Sequence, residues 1–246
     1  CSQNQAQKPA DVRDSIDQLK QVETKITEYI KTIEEDLKPS ESKGTHGSGS
    51  LVNGKIMPFS GPNFTYFDTT SYVNSRGFVN NKVRDAVLDA YAQCDTLVPD
   101  YEFILMECSN KNGGKIWPHR THQNGLSIDF AMPLQKDSTQ NRAYDYLGAD
   151  HYWMDFDKDG KYLQDKETSI NFEVVAQHIL ALNDACKNHG LKIKKVIIKT
   201  DLKDDLFAGK YGQQLKSSGI YVVKKLEPLI NMLHDDHYHI DFDLVD

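Results

Sequence analysis

Two stretches of sequence decide the fold: Leu126-Ser127-Ile128-Asp129-Phe130 and His237-Tyr238-His239-Ile240-Asp241-Phe242. In both, apolar and polar residues alternate, which is the pattern of a strand with one buried face. The polar face of the first stretch carries Asp129, and that of the second carries His237, His239 and Asp241. We therefore expect two strands that bury one side in a core and present metal-type ligands on the other.

Around these strands the sequence predicts an α+β fold, in which helices flank a small antiparallel sheet that carries the site. Apolar residues recur at helical spacing over residues 80–93 and 172–188, whereas residues 102–108 and 194–199 favour buried strands. Residues 220–233 are predicted to be mainly helical, and Pro228 could kink that helix.

An N-terminal helical extension is predicted over residues 11–38, because Ile and Leu recur there every three or four residues until Pro39. This helix would either dock on the domain or serve as a coiled-coil spacer or dimer seam. Residues 39–50 are rich in Gly and Ser, which predicts a linker. The chain is therefore expected to divide into residues 1–46 and a globular domain over residues 47–246.

Composition excludes several classes of protein. The 246 residues carry a formal charge of −7, so no nucleic-acid partner is expected, and no apolar run approaches the roughly 20 residues of a membrane span. The chain begins at Cys1, followed by a polar tail, as in a mature bacterial lipoprotein; an arbitrary start is the alternative. Cys94, Cys108 and Cys186 are either buried thiols or include one disulfide, for example between Cys94 and Cys108.

Five of the nine histidines fall in two clusters, His119-x-x-His122-x6-Asp129 and His234-x-x-His237-x-His239. Two imidazoles and one carboxylate would provide three zinc ligands and leave the fourth tetrahedral position for water. Such a water has a pKa of about 7 and can hydrolyse an amide, while further histidines move protons or stabilise the oxyanion. Gly125 permits the sharp turn that would return His122 toward Asp129. The helical zinc-protease motifs are absent from the sequence.

The two clusters resemble those of the penicillin-insensitive murein endopeptidases, part of the wider group of lysostaphin-like, D-Ala-D-Ala and Hedgehog-type zinc proteins. Residues 49–54, Met57-Pro58 and Gly61-Pro62 are similar to that family's opening segment, and residues 172–207 to the segment before its second histidine cluster. The resemblance runs from about residue 47 to the end, which implies that residues 47–246 form a zinc metallopeptidase domain.

This resemblance implies one bound Zn²⁺ ion and a role for each clustered residue. The implied ligands are His122, Asp129 and His239. His237 is implied as the general base, and His119 and His234 as residues that line the site.

The resemblance also implies a substrate, which is the cross-linking peptide of peptidoglycan, cut between D-Ala and meso-diaminopimelate. The protein would then be a periplasmic lipoprotein, anchored to a membrane, most simply the outer one, by a lipid on Cys1. The alternatives are a non-catalytic module that binds zinc and muropeptide, and a D,D-carboxypeptidase or other amide hydrolase on the same site. Many relatives carry an acid at Ser127 and an Arg at Asp241; we expect these departures to alter contacts on the substrate side.

Three weaker patterns are explained by ordinary structural roles rather than by function. Residues 155–160 begin like a calcium loop, but Lys166 stands where a Glu is needed, so a hairpin turn is predicted there. His151-Tyr152-Trp153 could form a wall of the substrate groove, although ordinary packing is preferred for His151. The lysines at positions 192, 194, 195 and 199 are predicted to form a solvated face.

Overall fold

The computed structural model describes residues 9–99 and 101–245, without the side chains of residues 9–16. Cys1, the predicted lipid attachment site, lies outside the described residues. The chain divides into one unit that ends at Glu35 and a larger unit that begins at Asp36, before residue 47 where the domain was expected to start. Within the described residues, no helix combines the length and apolar composition needed to cross a bilayer.

The first unit contains helix α1, Pro9–Lys31, with Leu19 and Ile30 exposed along it. The predicted extension to residue 38 is wrong, because the helix ends at Lys31. Glu34, Glu35 and Asp36 follow in sequence, and carboxylates are unfavourable at the negative end of the helix dipole. The predicted dimer seam stays a prediction.

The second unit is built from short strands and helices. The strands are β1 Glu41–Thr45, β2 Ser48–Val52, β3 Lys55–Ile56, β4 Ser60–Gly61, β5 Phe64–Tyr66, β6 Phe78–Val79, β7 Phe103–Leu105, β8 Ser127–Ala131, β9 Leu134–Lys136, β10 Thr139–Gln140, β11 Lys161–Tyr162, β12 Asp165–Ile170, β13 Leu191–Ile197 and β14 His237–Leu244. The helices are α2 Thr69–Ser71, α3 Asn81–Leu97, α4 Phe172–Asn188, α5 Lys203–Leu206, α6 Lys210–Ser217 and α7 Pro228–Met232. A π-helical turn covers Tyr72–Arg76, and 3₁₀ segments cover Asp145–Trp153 and Thr200–Leu202.

The central sheet has six strands in the order β13-β14-β8-β7-β5-β4. Its neighbours pair antiparallel except β5 and β7, which are parallel. Smaller sheets pair β10-β9-β12-β11, β1-β2 and β3-β6. The predicted α+β class, with small sheets, flanking helices and an N-terminal helix, is confirmed.

The core lies against the apolar face of strands β8 and β14, where Ile128, Phe130, Tyr238, Ile240 and Phe242 are buried. The ring of His178 on α4 lies 4.9 Å from that of Phe130, and its Nδ1 is 2.6 Å from the Tyr238 hydroxyl. The ring of Tyr91 on α3 stacks on the same histidine at 5.2 Å. Helices α3 and α4 therefore cover this face, as the alternation predicted, and the opposite face is left for the site.

Several local predictions are corrected. Residues 41–52 form the hairpin β1-β2 rather than a linker, because its strands pair from Glu41↔Val52 to Thr45↔Ser48. Helix α7 begins at Pro228, which occupies the first turn, where its missing N–H costs nothing, so the predicted helix from residue 220 is wrong. The predicted strand at 194–199 begins earlier, at Leu191. Cys94, Cys108 and Cys186 are buried free thiols.

Candidate metal centre

Strands β8 and β14 bring Asp129 and His239 together, because their register pairs these two residues directly. The same register pairs His237 with Ala131 and Asp241 with Ser127. Directly opposed residues on one face of an antiparallel pair have Cβ atoms about 5 Å apart. The predicted common polar face of the two strands is therefore present.

The loop before β8 carries both histidines of the first motif, His119 and His122. His122 adopts a left-handed backbone conformation with φ +63°, which is uncommon for a non-glycine residue. Gly125 follows with φ +76°, and its N–H donates to Ser109 Oγ at 2.9 Å. The predicted sharp turn at Gly125 is confirmed, and it returns His122 to the carboxylate of Asp129.

Three ligand-type atoms converge at the centre of the site. His122 Nε2 lies 3.1 Å from His239 Nδ1 and 3.2 Å from Asp129 Oδ1. His239 Nδ1 lies 2.7 Å from the same Asp129 Oδ1. Tetrahedral zinc with bonds of about 2.0–2.1 Å separates neighbouring ligand atoms by about 3.4 Å.

The donor set fits a divalent ion. His119, His122 and Asp129 offer ligand atoms that all lie within 4.8 Å of one another, so this group could hold a metal ion. The predicted ligand set shares His122 and Asp129 with this group and has His239 in place of His119; His239 Nδ1 lies 3.1 Å from His122 Nε2 and 2.7 Å from Asp129 Oδ1. A proton shared between Asp129 and His239 can form only one of these contacts and would leave His122 Nε2 without a hydrogen-bond partner. A single metal cation could engage all three atoms.

Carboxylates stand behind two of the histidines. His239 Nε2 donates to Asp241 Oδ1 at 2.7 Å, and His237 Nδ1 donates to Asp236 Oδ1 at 2.7 Å. Such partners fix the ring orientation of metal-binding and catalytic histidines. His122 differs, because its Nδ1 has no hydrogen-bond partner among the described residues.

The two departures from the family pattern also lie behind the site. Ser127 Oγ donates to Asp241 Oδ1 at 2.6 Å, and Lys195 Nζ lies 3.0 Å from Asp241 Oδ2. Both side chains therefore support His239 from behind, and the expected change in substrate contacts stays a prediction. Asp241 takes this role because residues two apart on a strand share a face.

Charges set the protonation of the central groups. Burial would lower the pKa of His239, but the carboxylates of Asp241 and Asp129 outweigh burial and raise it to about 9. Burial would likewise lower the pKa of His237, and Asp236 and Asp129 raise it instead. Burial would raise the pKa of Asp129, but the imidazoles of His122 and His237 hold it well below its usual value.

The outer histidines are neutral. Burial, followed by the nearby histidines, lowers the pKa of His119 and of His234 to about 3. His234 Nδ1 lies 2.6 Å from the Ile230 carbonyl, so it donates there and leaves Nε2 as an acceptor. Burial therefore disfavours the protonated form of both residues, and the role of a histidine in stabilising the oxyanion stays a prediction.

Tyr152 adds a hydroxyl to the site. Its OH lies 3.4 Å from Asp129 Oδ2, and its ring meets those of His119 at 5.8 Å and His237 at 5.2 Å. Burial and the charge of Asp129 raise its pKa well above the usual value, so the hydroxyl keeps its proton. Of the predicted groove wall, Tyr152 and Trp153 line the cleft, while His151 is buried elsewhere.

A cleft of about 930 Å³ opens over these groups. Its walls are largely apolar, and Trp117, Trp153, Leu229 and Leu233 are exposed along it. Its lining also includes Asp129 and the four histidines at positions 119, 234, 237 and 239. The structure therefore brings every predicted site residue to one place, with His122 fully buried beneath the others.

Contacts in the structure test two further predictions, the turn at the calcium-like loop and the solvated lysine face. Phe156 and Tyr162 bridge across a turn, as predicted, and Lys166 Nζ lies 3.0 Å from Asp157 Oδ2. A lysine ammonium therefore neutralises the carboxylate of this calcium-like loop. The lysine face is only partly solvated, because Lys195 pairs with buried Asp241 and Lys199 pairs with buried Asp235 at 3.0 Å.

Comparisons with known proteins add little. No protein-family profile matches the chain. The chain is similar to an alanine–tRNA ligase of Lactobacillus helveticus, at 23% identity over 130 residues. The match covers 49% of this chain and only 14% of the ligase, so it shows no family and transfers no activity.

Proposed function

We propose that this protein is a zinc-dependent murein endopeptidase that hydrolyses D-alanyl cross-links of peptidoglycan. The observation that carries the proposal is the convergence of His122 Nε2, Asp129 Oδ1 and His239 Nδ1 within 3.2 Å, beside His237. These are the three ligands and the base that the resemblance implies. The substrate itself rests on the resemblance, and the periplasmic, lipid-anchored location remains part of the proposal.

Zinc suits this donor set, because two imidazole nitrogens and one carboxylate oxygen leave a fourth position open, as in catalytic zinc sites. When bound, the ion would lower the pKa of a water to about 7 and polarise the scissile carbonyl. Asp241 and Ser127 would keep His239 oriented for this role.

His237 is the proposed general base. Its Nδ1–H donates to Asp236, so its Nε2 lone pair faces the site, 3.9 Å from Asp129 Oδ2. A base works best when its pKa lies near the operating pH, and both carboxylates hold the pKa of His237 above that of an ordinary buried histidine. The proton it accepts can then pass to the leaving amine.

Tyr152 is the proposed oxyanion donor. His234 offers an acceptor, because its proton is used on the Ile230 carbonyl. The Tyr152 hydroxyl stays protonated and faces the cleft beside Asp129. A donor placed where negative charge develops stabilises the transition state more than the ground state.

The volume and lining of the cleft support a branched peptide as the proposed substrate. Its apolar side, which includes Trp117, Trp153 and Leu229, suits alanyl methyl groups and sugar faces. Arg76 and Glu107 also line the cleft, and Arg76 Nη1 is 3.3 Å from Glu107 Oε1. This charged pair offers polar contacts to a substrate that carries both carboxylates and an ammonium group.

The test is a digest of cross-linked muropeptides with the protein and zinc, followed by mass spectrometry. An endopeptidase converts each dimer into two monomers whose masses sum to the dimer plus one water. Release of a terminal alanine would identify a carboxypeptidase, and intact dimers that bind the protein would identify a non-catalytic module.

His237→Ala refines this test. We expect the variant to keep its zinc and to lose roughly 10²- to 10⁴-fold of its turnover, the usual share of a general base. His189→Ala is the matched control, since His189 pairs with Asp89 at the end of α4, away from the cleft. Loss of zinc from His237→Ala would mean that His237 is a ligand and that the proposed roles are exchanged.

A further inference from the structure

The two oxygens of Asp129 face different pairs of histidines. Oδ1 lies near His122 Nε2 and His239 Nδ1, at 3.2 and 2.7 Å. Oδ2 lies 3.5 Å from His119 Nδ1 and 3.9 Å from His237 Nε2. The carboxylate therefore stands between two nitrogen pairs, and the proposed zinc position uses only the first pair.

The second pair has the features of a cation site. His237 Nδ1 lies 2.7 Å from Asp236 Oδ1, and in the tautomer that donates there Nε2 is the free ligand atom, 3.9 Å from Asp129 Oδ2, the arrangement typical of a metal-binding histidine. His119 lines the cleft with a side chain that is 15% exposed, so the position is open to incoming ions. Carboxylate-bridged metal pairs in enzymes lie about 3.5–4 Å apart, a spacing that one aspartate can span.

We propose that the cleft holds a second, weaker divalent-cation position formed by His119 Nδ1, His237 Nε2 and Asp129 Oδ2, and suited to zinc. Asp129 bridges it to the first position. The Tyr152 hydroxyl, 3.4 Å from Oδ2, competes for that oxygen. The second position also shares the negative charge of Asp129 with the first, because each uses one oxygen of the same carboxylate. Both features make the second position the weaker one.

Occupation of the second position has a functional consequence, which rests on the proposed function. A cation there takes the lone pair of His237 that the hydrolysis needs as proton acceptor. Zinc is then required at low concentration and inhibitory at high concentration. Turnover should fall by roughly 100-fold when the second position fills, because general-base catalysis is lost.

The first experiment measures metal binding alone. Metal-free protein is dialysed against increasing zinc, and bound zinc per chain is measured by mass spectrometry of the metal. We expect wild type and the control His189→Ala to bind one ion tightly and a second more weakly. His119→Ala and His119→Gln should keep the tight ion and lose the weak one.

Two binding results would overturn the proposal. One is a wild-type protein that binds no more than one zinc ion per chain over the whole zinc range, so that its binding curve matches that of His119→Ala. The other is loss of the tight ion from both His119 variants while circular dichroism shows them folded, since His119 would then belong to the first position with His122 and Asp129.

The second experiment separates this inference from the proposed function. Muropeptide turnover is followed across the same zinc range in wild type and His119→Gln. Inhibition of wild type that weakens by roughly tenfold or more in the variant supports the second position. Undiminished turnover at high zinc overturns the inference and leaves the endopeptidase standing. Two bound ions without turnover at any zinc concentration overturn the endopeptidase and leave the second position standing.

Discussion

His122 illustrates how a single residue defines the site. Its left-handed backbone, with φ +63°, costs of order 1–3 kcal/mol and persists only where the surroundings enforce it. Gly125 and the Ser109 hydroxyl hold the following turn, and the Gln123 N–H donates to the His46 carbonyl at 3.0 Å. These contacts stabilise a loop that presents Nε2 to Asp129.

Tyr152→Phe tests the oxyanion donor at this scale. The variant keeps the ring that packs between His119 and His237 and removes only the hydroxyl. We expect bound zinc and KM to change little and kcat to fall by roughly 10²- to 10³-fold, as when other oxyanion donors are removed. Steady-state kinetics on muropeptides measures both.

Tyr146→Phe is the matched control for that variant, because Tyr146 lies in the same 3₁₀ segment with its ring exposed. It should behave as wild type. An unchanged kcat in Tyr152→Phe, with zinc bound, would show that this hydroxyl only packs.

At the residue scale, the ligands were predictable and their supports only partly so. His239 and Asp129 follow from alternation, because strand parity fixes the face of each residue. Asp241 lies on that same face, so its place behind His239 was available from the pattern as well. Tyr152 comes from a segment without periodicity, and its position depends on tertiary packing that no local pattern encodes.

At the scale of elements, the turn between the loop that carries His122 and strand β8 depends on glycine. A Cβ on Gly125 would lie 2.8 Å from the backbone nitrogen of Asn80, and φ is +76°. Because that nitrogen donates to the Gly125 carbonyl, the two chain segments cannot separate without losing a hydrogen bond.

Gly125→Ala should therefore destabilise the protein more than Gly114→Ala. Gly114 has a similar φ of +79°, but its added Cβ would meet nothing within 4 Å. Each alanine costs about 1–2 kcal/mol for the left-handed backbone, and Gly125→Ala adds about 1–3 kcal/mol for the collision. Urea unfolding of both variants measures the difference, and equal losses would contradict the close approach.

Element boundaries separate what local sequence determines from what it does not. Helix α4 spans Phe172–Asn188 as predicted, because its apolar period is regular and Asn171 caps it. The hairpin β1-β2 was missed because its Gly- and Ser-rich strands lack apolar alternation. Its pairing is supported from elsewhere, since His46 in the turn lies 2.8 Å from the Phe242 carbonyl.

At the scale of the whole molecule, buried neutral histidines make stability depend on pH. His178 lies in the core, on α4 and in contact with Tyr238, and burial lowers its pKa to about 3 from the model-peptide value of 6.5. The unfolded chain therefore binds a proton between these pH values that the folded chain does not. Stability from this group is complete above pH 6.5 and is lost as pH falls toward 3.

His178→Phe should flatten this dependence. Between pH 6 and pH 4 the wild-type free energy of unfolding should fall faster than that of the variant by about 1.4 kcal/mol per pH unit, the value of one proton. Urea midpoints and slopes at pH 7, 6, 5 and 4 measure it. The comparison uses slopes, so a general packing loss in the variant does not affect it, and parallel profiles would contradict the assignment.

The chain has two tryptophans, Trp117 and Trp153, and both stand exposed at the mouth of the cleft, 85% and 74% accessible. Because both indoles lie there, the tryptophan emission comes entirely from the entrance to the site. A molecule that enters displaces water from these rings and shifts their fluorescence, so the protein carries an intrinsic optical reporter of occupancy that needs no label.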